Sequence, residues 1–189
     1  MKNLKVILTG LFLGTSLFAG TYNVDKSHSS VGFKVKHMMV TNVNGTFDDF
    51  SGSFEYDEET KTLKGLEGTI LTSSINTANT KRDGHLKAPD MFDAVKYPQI
   101  TFKVTNIKED KVMGDLTIKG ITKKVTLDLE LAGTTIKDPW GNTRTGLSLN
   151  GKINRYDFDI KWNKVLEAGG IAVGETVKLN IELEGILKK

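Results

Sequence analysis

The sequence predicts an all-β protein: an eight-stranded antiparallel up-and-down barrel with a short helical insertion between strands three and four. Three observations carry this. Eight segments alternate apolar and polar residues with a period of two. Such one-sided strands must bury their apolar faces by closing a barrel or stacking two sheets. Short polar turns separate most neighbours, which favours antiparallel pairing in chain order.

Taken in order, the 189-residue chain reads as one domain behind an export signal. Residues 1–19 carry Lys2 and Lys5, an apolar run from Val6 to Phe18, and a cleavage box at Leu17-Phe18-Ala19. The run is shorter than the ~18 apolar residues of a spanning helix. The domain then covers 20–189, long enough to bury a full core. In strand one, Val31, Phe33, Val35 and His37 alternate with Gly32, Lys34 and Lys36. Strand two, Phe47 to Tyr56, switches parity between Phe47 and Phe50, which predicts a bulge or bend near Asp48-Asp49. Strand three, Leu63 to Ile75, switches parity between Ile70 and Leu71, which predicts a second bend.

Asn79 to Pro98 is long for a connection and helical in flavour. Strands four to six follow, around Ile100–Val104, Val112–Ile118 and Val125–Leu131, with turns at Glu109-Asp110 and Gly120. Asp138-Pro139-Trp140-Gly141-Asn142 is a strong turn signal. Strands seven and eight are Leu147–Ile153 and Val177–Leu183. In a meander, the connections near 38–44, 76–98, 120 and 154–174 fall on one rim. That rim holds the two longest connections, and the other is closed by tighter turns. His37 and Arg155 stand at strand ends on the long-loop rim, and His85 lies in its 76–98 connection. His28 precedes strand one, at the other end.

Composition narrows the chemistry. There is no cysteine, so disulfides, zinc–thiolate sites and thiol nucleophiles are excluded. Removing Lys2 and Lys5 with the signal leaves 24 basic against 23 acidic residues, which is no nucleic-acid footprint. No Gly-x-Ser-x-Gly elbow, phosphate loop or HExxH motif is present. The three histidines match no zinc spacing. Asp48-Asp49 and Glu58-Glu59 read as solvated turn acids.

The order and spacing of several segments resemble the YceI-like family, a lipocalin-like group of periplasmic polyisoprenoid-binding proteins. The segments are Asp25-Lys26-Ser27-His28-Ser29 with Val31 and Phe33, then Gly45-Thr46-Phe47, then Arg82-Asp83-Gly84-His85-Leu86. Asp90-Met91-Phe92-Asp93, Tyr97-Pro98-Gln99-Ile100-Thr101-Phe102 and Gly114 to Lys123 continue the likeness. The resemblance implies a barrel with an extended apolar cavity that binds an isoprenoid chain or another long amphiphile, such as a fatty amide. It also implies homodimers. The chain departs from the family pattern at Met91, where an aromatic is usual, and at Asp159, where glycine is expected.

Two readings of the inner face stand: a filled core, or a wall around a ligand. On the second, Phe33, Val35, Phe102, Leu116, Ile118, Leu127 and Leu149 line the cavity, and inward Gly68, Gly114 and Gly151 leave space. Leu86, Met91 and Phe92 touch the chain at the mouth. His37, Arg82, His85 and Arg155 are candidates for a head group, with Phe158 and Trp162 beside them. The alternative for Arg82 and Asp83 is local: Asp83 caps a short helix and pairs with Arg82. The expectation is a non-catalytic periplasmic carrier without metal or resident cofactor, bound to a polyisoprenoid, isoprenoid quinone or fatty amide. Homodimerisation and transient membrane contact are expected, and nucleic acid is not. A quinone-linked redox or enzymatic partner, and a stress-linked protein with a filled barrel, are the alternatives.

Overall fold

The computed structural model describes residues 19–167 and 169–189. The expected export signal, except Ala19, lies outside the described residues. Among the described residues, twelve strands make eight staves. Stave one is β1 (Ala19–Val24) and β2 (Ser30–His37), stave two β3 (Thr41–Phe47) and β4 (Phe50–Asp57), and stave three β5 (Thr62–Leu71) and β6 (Ile75–Asn76). Staves four to six are β7 (Gln99–Lys108), β8 (Lys111–Ile118) and β9 (Ile121–Leu131). The short β10 (Ile136–Lys137) pairs with the start of β11 (Thr143–Asn154), which is stave seven. Stave eight is β12 (Val173–Leu187).

Each stave pairs antiparallel with its sequence neighbours. The ring closes where β12 pairs with β11, from Arg144–Ile186 to Asn154–Thr176, and with β2 and β1 on its other edge. Closure removes the exposed sheet edges that one-sided strands would otherwise present. The only α-helix among the described residues is α1, Thr80–Leu86, in the connection between staves three and four.

The first three staves break at one level. Stave one breaks at the Lys26–His28 turn, where the Asp25 carboxylate accepts from Ser27 N. Stave two breaks at Asp48-Asp49, and stave three at Thr72–Ser74. Both parity switches therefore mark real bends. The breaks are cross-linked: Lys26 Nζ donates to Asp49 at 2.8 Å, Asn76 Nδ2 to Asp48 at 2.7 Å, and Asp48 N to Ser74 O at 3.1 Å. Asp48 and Asp49 are thus structural links rather than merely solvated acids. So is Glu58, which accepts from Tyr22 Oη at 2.6 Å.

Two expectations need correction. Stave one begins a full strand earlier than Val31, because β1 precedes the turn. His28 is consequently not at the far end but in the broken wall, with Nδ1 2.9 Å from Asp25. Nor do Gly114 and Gly151 leave space. A Cβ on Gly114 would stand 2.5 Å from the Phe102 ring, and one on Gly151 2.4 Å from Leu127. A large neighbour already covers each glycine.

The barrel is filled in one half and hollow in the other. In the lower half Tyr22, Phe54, Val112 and Leu149 are at most 2% exposed, and Tyr22 stacks on Phe54 with centroids 5.5 Å apart. The upper half is walled around Phe47, Met91, Ile118 and Phe158 and carries the two long connections.

Candidate functional site

The apolar alternation that closes the barrel also builds its cavity. Inward side chains of β2, β7, β8, β9 and β12 enclose a volume of about 160 Å³ in the upper half. Helix α1 contributes Leu86, the connection after it Met91 and Phe92, and the connection between β11 and β12 Phe158 and Ile160. Phe92 meets Phe47 edge to face at 6.1 Å. Among the described residues, the only charged or polar side chain on the lining is Arg155.

Arg155 is 5% exposed, and its guanidinium is committed to the main chain. Nη1 donates to Ile160 O at 2.6 Å and Trp162 O at 2.9 Å, Nε to Gly174 O at 2.9 Å, and Nη2 to Val173 O at 3.1 Å. Burial pulls its pKa below the ordinary guanidinium value. Four main-chain carbonyls take four of its five N–H donors and hold the ion in place, since a buried charge needs hydrogen-bond partners to persist. Arg155 thus folds the last connection around itself.

That connection starts with a 3-10 turn, Arg155–Phe158, capped by the Asn154 side chain. Asp159 closes it in the left-handed region, at φ 56°. This is the physical reason for glycine at that position in the family pattern, and aspartate is among the residues that tolerate the conformation. Farther on, Asn163 bonds to both N and O of Val173, and Val165 pairs antiparallel with Ile171, which makes a narrow ribbon.

The Arg82 cluster is also local, with partners the sequence does not reveal. Arg82 Nε donates to Thr77 Oγ1 at 2.7 Å and Nη2 to Thr77 O at 2.8 Å. Asp83 accepts from Thr77 N and Oγ1 instead of pairing with Arg82. The helix N-cap is Asn79, whose side chain accepts from Arg82 N. His85 lies 3.2 Å from Asp90 and meets Trp162 edge to face at 4.8 Å. This contact joins the two long connections across the rim.

Of the candidate residues, Phe33, Val35, Leu86, Met91, Phe92, Phe102, Leu116, Ile118, Leu127, Arg155 and Phe158 lie on the cavity lining. Leu149 belongs to the packed lower half. His37, Arg82, His85 and Trp162 stand outside the lining. Sequence reasoning left out Val177 and Leu179, although they share the parity of inward Ile181. It also left out Phe47, Ile70 and Ile100, whose strands are broken or flank the long connection.

Residues 22–185 match the YceI-like domain. A UPF0312 protein of Staphylococcus aureus is 43% identical over 164 residues, covering 86% of this chain and 95% of its own. A Campylobacter jejuni YceI protein of solved structure is 37% identical, with a TM-score of 0.71 over 87% of this chain and 96% of that one. A polyisoprenoid-binding domain from Saccharophagus degradans shares the fold at 15% identity, with a TM-score of 0.63 over 90% of this chain and 100% of that one. With the domain matched from the first stave to the last, and with relatives this similar over nearly their whole length, the chain belongs to the YceI-like family.

Proposed function

We propose that this protein is a non-catalytic carrier that holds the tail of a long apolar molecule in the upper half of its barrel. The ligand classes are a polyisoprenoid, an isoprenoid quinone or a fatty amide, and the site of action is the periplasm, reached through the N-terminal export signal. The observation that carries this is an apolar cavity whose one charged residue has its guanidinium spent on main-chain carbonyls. Such a wall offers a ligand mainly apolar contact area. Each methylene buried there is favourable by about 0.8 kcal/mol, before the cost of immobilising the chain. With about 160 Å³ available, the cavity takes a segment and leaves the head group at the mouth. The polyisoprenoid-binding domain of Saccharophagus degradans, on the same fold, supports the ligand class.

Native mass spectrometry of protein purified from its own host tests the reading. A co-purifying lipid, or saturable uptake of an added prenyl quinone, is expected. Protein that is reproducibly free of lipid and takes up no probe would sink it. Pairing of two copies, which the family resemblance implies, is checked by sedimentation velocity on the same material.

A further inference from the structure

The hairpin joining β2 to β3 turns in a way its residues do not favour. Val40 N bonds to His37 O at 3.1 Å, and the two residues between them have φ of 47° and 62°. Those are the left-handed angles of a turn that ordinarily takes asparagine and glycine. Here they fall on Met38 and Met39. A costly turn built from two large apolar residues needs a reason outside the fold, because folding alone would select the ordinary pair.

The turn puts these side chains outside. Met38 is 47% exposed, Met39 64% and Val40 80%. The tip is docked on the ribbon of the last connection: Met38 N donates to Ala172 O at 2.7 Å, and Met39 Sδ lies against Gly170. That ribbon exposes Val165 at 84%. Of the eight large apolar side chains exposed among the described residues, four are thus on two joined tips, and Val95 stands on the same rim. Directly below, Val35 and Val173 line the cavity. From Ser30 to Phe47 the two hairpin strands carry Lys34 and Lys36 and no carboxylate. Lys161 and Lys164 precede Val165, Glu167 is the acid of that connection beyond the turn at Asp157-Asp159, and Glu175 follows in β12.

We propose that the joined tips, Met38-Met39-Val40 and Val165, form a docking surface for an anionic lipid bilayer, through which the barrel exchanges its ligand. The apolar tips enter the interface while the lysines meet lipid phosphates. The role in exchange rests on the cavity reading; docking is measured independently of it.

The test is flotation of the mature protein with vesicles of phosphatidylethanolamine and phosphatidylglycerol, against phosphatidylcholine alone. Binding to the anionic vesicles that weakens in high salt is expected. The pair Met39→Asp and Val165→Asp is expected to weaken it roughly tenfold or more. A second pair, Met38→Asn with Met39→Gly, restores the ordinary turn chemistry. It is expected to lose binding while melting no lower than the parent, which separates docking from misfolding. Both pairs should still take up prenyl quinone dispersed in detergent but extract it from vesicles more slowly. Parent protein that does not float, or variants that float equally, overturn the proposal. So does a solution dimer that the aspartates dissociate, since the tips would then be an interface between copies. Failure of the parent to take up dispersed quinone counts against the cavity reading alone.

Discussion

Arg155 donates to four carbonyls from one buried guanidinium, and this decides what the residue is for. From sequence, an arginine at a strand end on a ligand-bearing rim reads as a head-group partner. The structure spends its donors on the connection that roofs the cavity. Arg155→Lys keeps the charge but cannot reach all four carbonyls in their fixed geometry. It is expected to cost about 3 kcal/mol, seen as a fall of roughly ten degrees in Tm by differential scanning calorimetry. Met38 and Met39 lie at the other extreme. Replacing them with Asn and Gly removes left-handed strain from two side chains and is expected to stabilise the protein by about 1 kcal/mol in urea titrations.

At the scale of elements, the two halves of the barrel should answer differently to the same kind of truncation. Leu149 is 1% exposed in β11 and packed among the lower residues, so Leu149→Ala leaves a new void. A loss of about 2–5 kcal/mol is expected. Val177 of β12 already faces the cavity, so Val177→Ala enlarges a space instead of opening one. A loss below about 1 kcal/mol is expected, measured by the same denaturant titration. Val177→Trp reverses the test. It should fill the cavity and abolish prenyl quinone uptake while leaving the far-ultraviolet circular dichroism unchanged. Retained uptake would move the site elsewhere.

At the scale of the molecule, one residue fastens the seam of the ring. Arg144 of β11 bonds Asp138 at 2.7 Å, Asp25 of the first stave's break at 2.6 Å, and Glu184 of β12 at 2.5 Å. Hydrogen bonds from Arg144 first, and His28 second, hold the Asp25 carboxyl well below its usual range. Burial pushes Asp138 the other way, but bonds from Arg144, Asn142 and the backbone outweigh it and lower that carboxyl too. Both folded-state values lie well below the unfolded one, so the stability they confer is full above about pH 5, starts to fade near about 4 and is lost only as the pH falls on through the folded-state values. Arg144→Met is expected to lower Tm at neutral pH and to flatten its decline in acid, read from thermal melts over a pH series. Ligand acts at this scale as well. Stripping bound lipid should lower Tm, and restoring a quinone at a hundredfold excess over its Kd should recover about 2.7 kcal/mol.

Sequence alone determined the number of staves, their order, a bend at Asp48-Asp49 and a second after Ile70, and the rim that bears the long connections. These follow from period-two alternation and turn chemistry, which are local and therefore written along the chain. Most of the cavity wall was legible for the same reason, since parity assigns a face. What parity cannot assign is height along the barrel. Leu149 and Ile153 of β11 have the same sign, yet one lies in the packed half and the other on the cavity. The register between staves, and the common level at which three of them break, decide that. Tertiary structure also decided the partners of the polar groups. Thr77 captures Arg82 and Asp83, the main chain captures Arg155, and His28 sits within a broken stave instead of at an end. A buried donor takes whichever acceptor the fold brings within reach, and that is a property of three-dimensional neighbours, not of sequence neighbours.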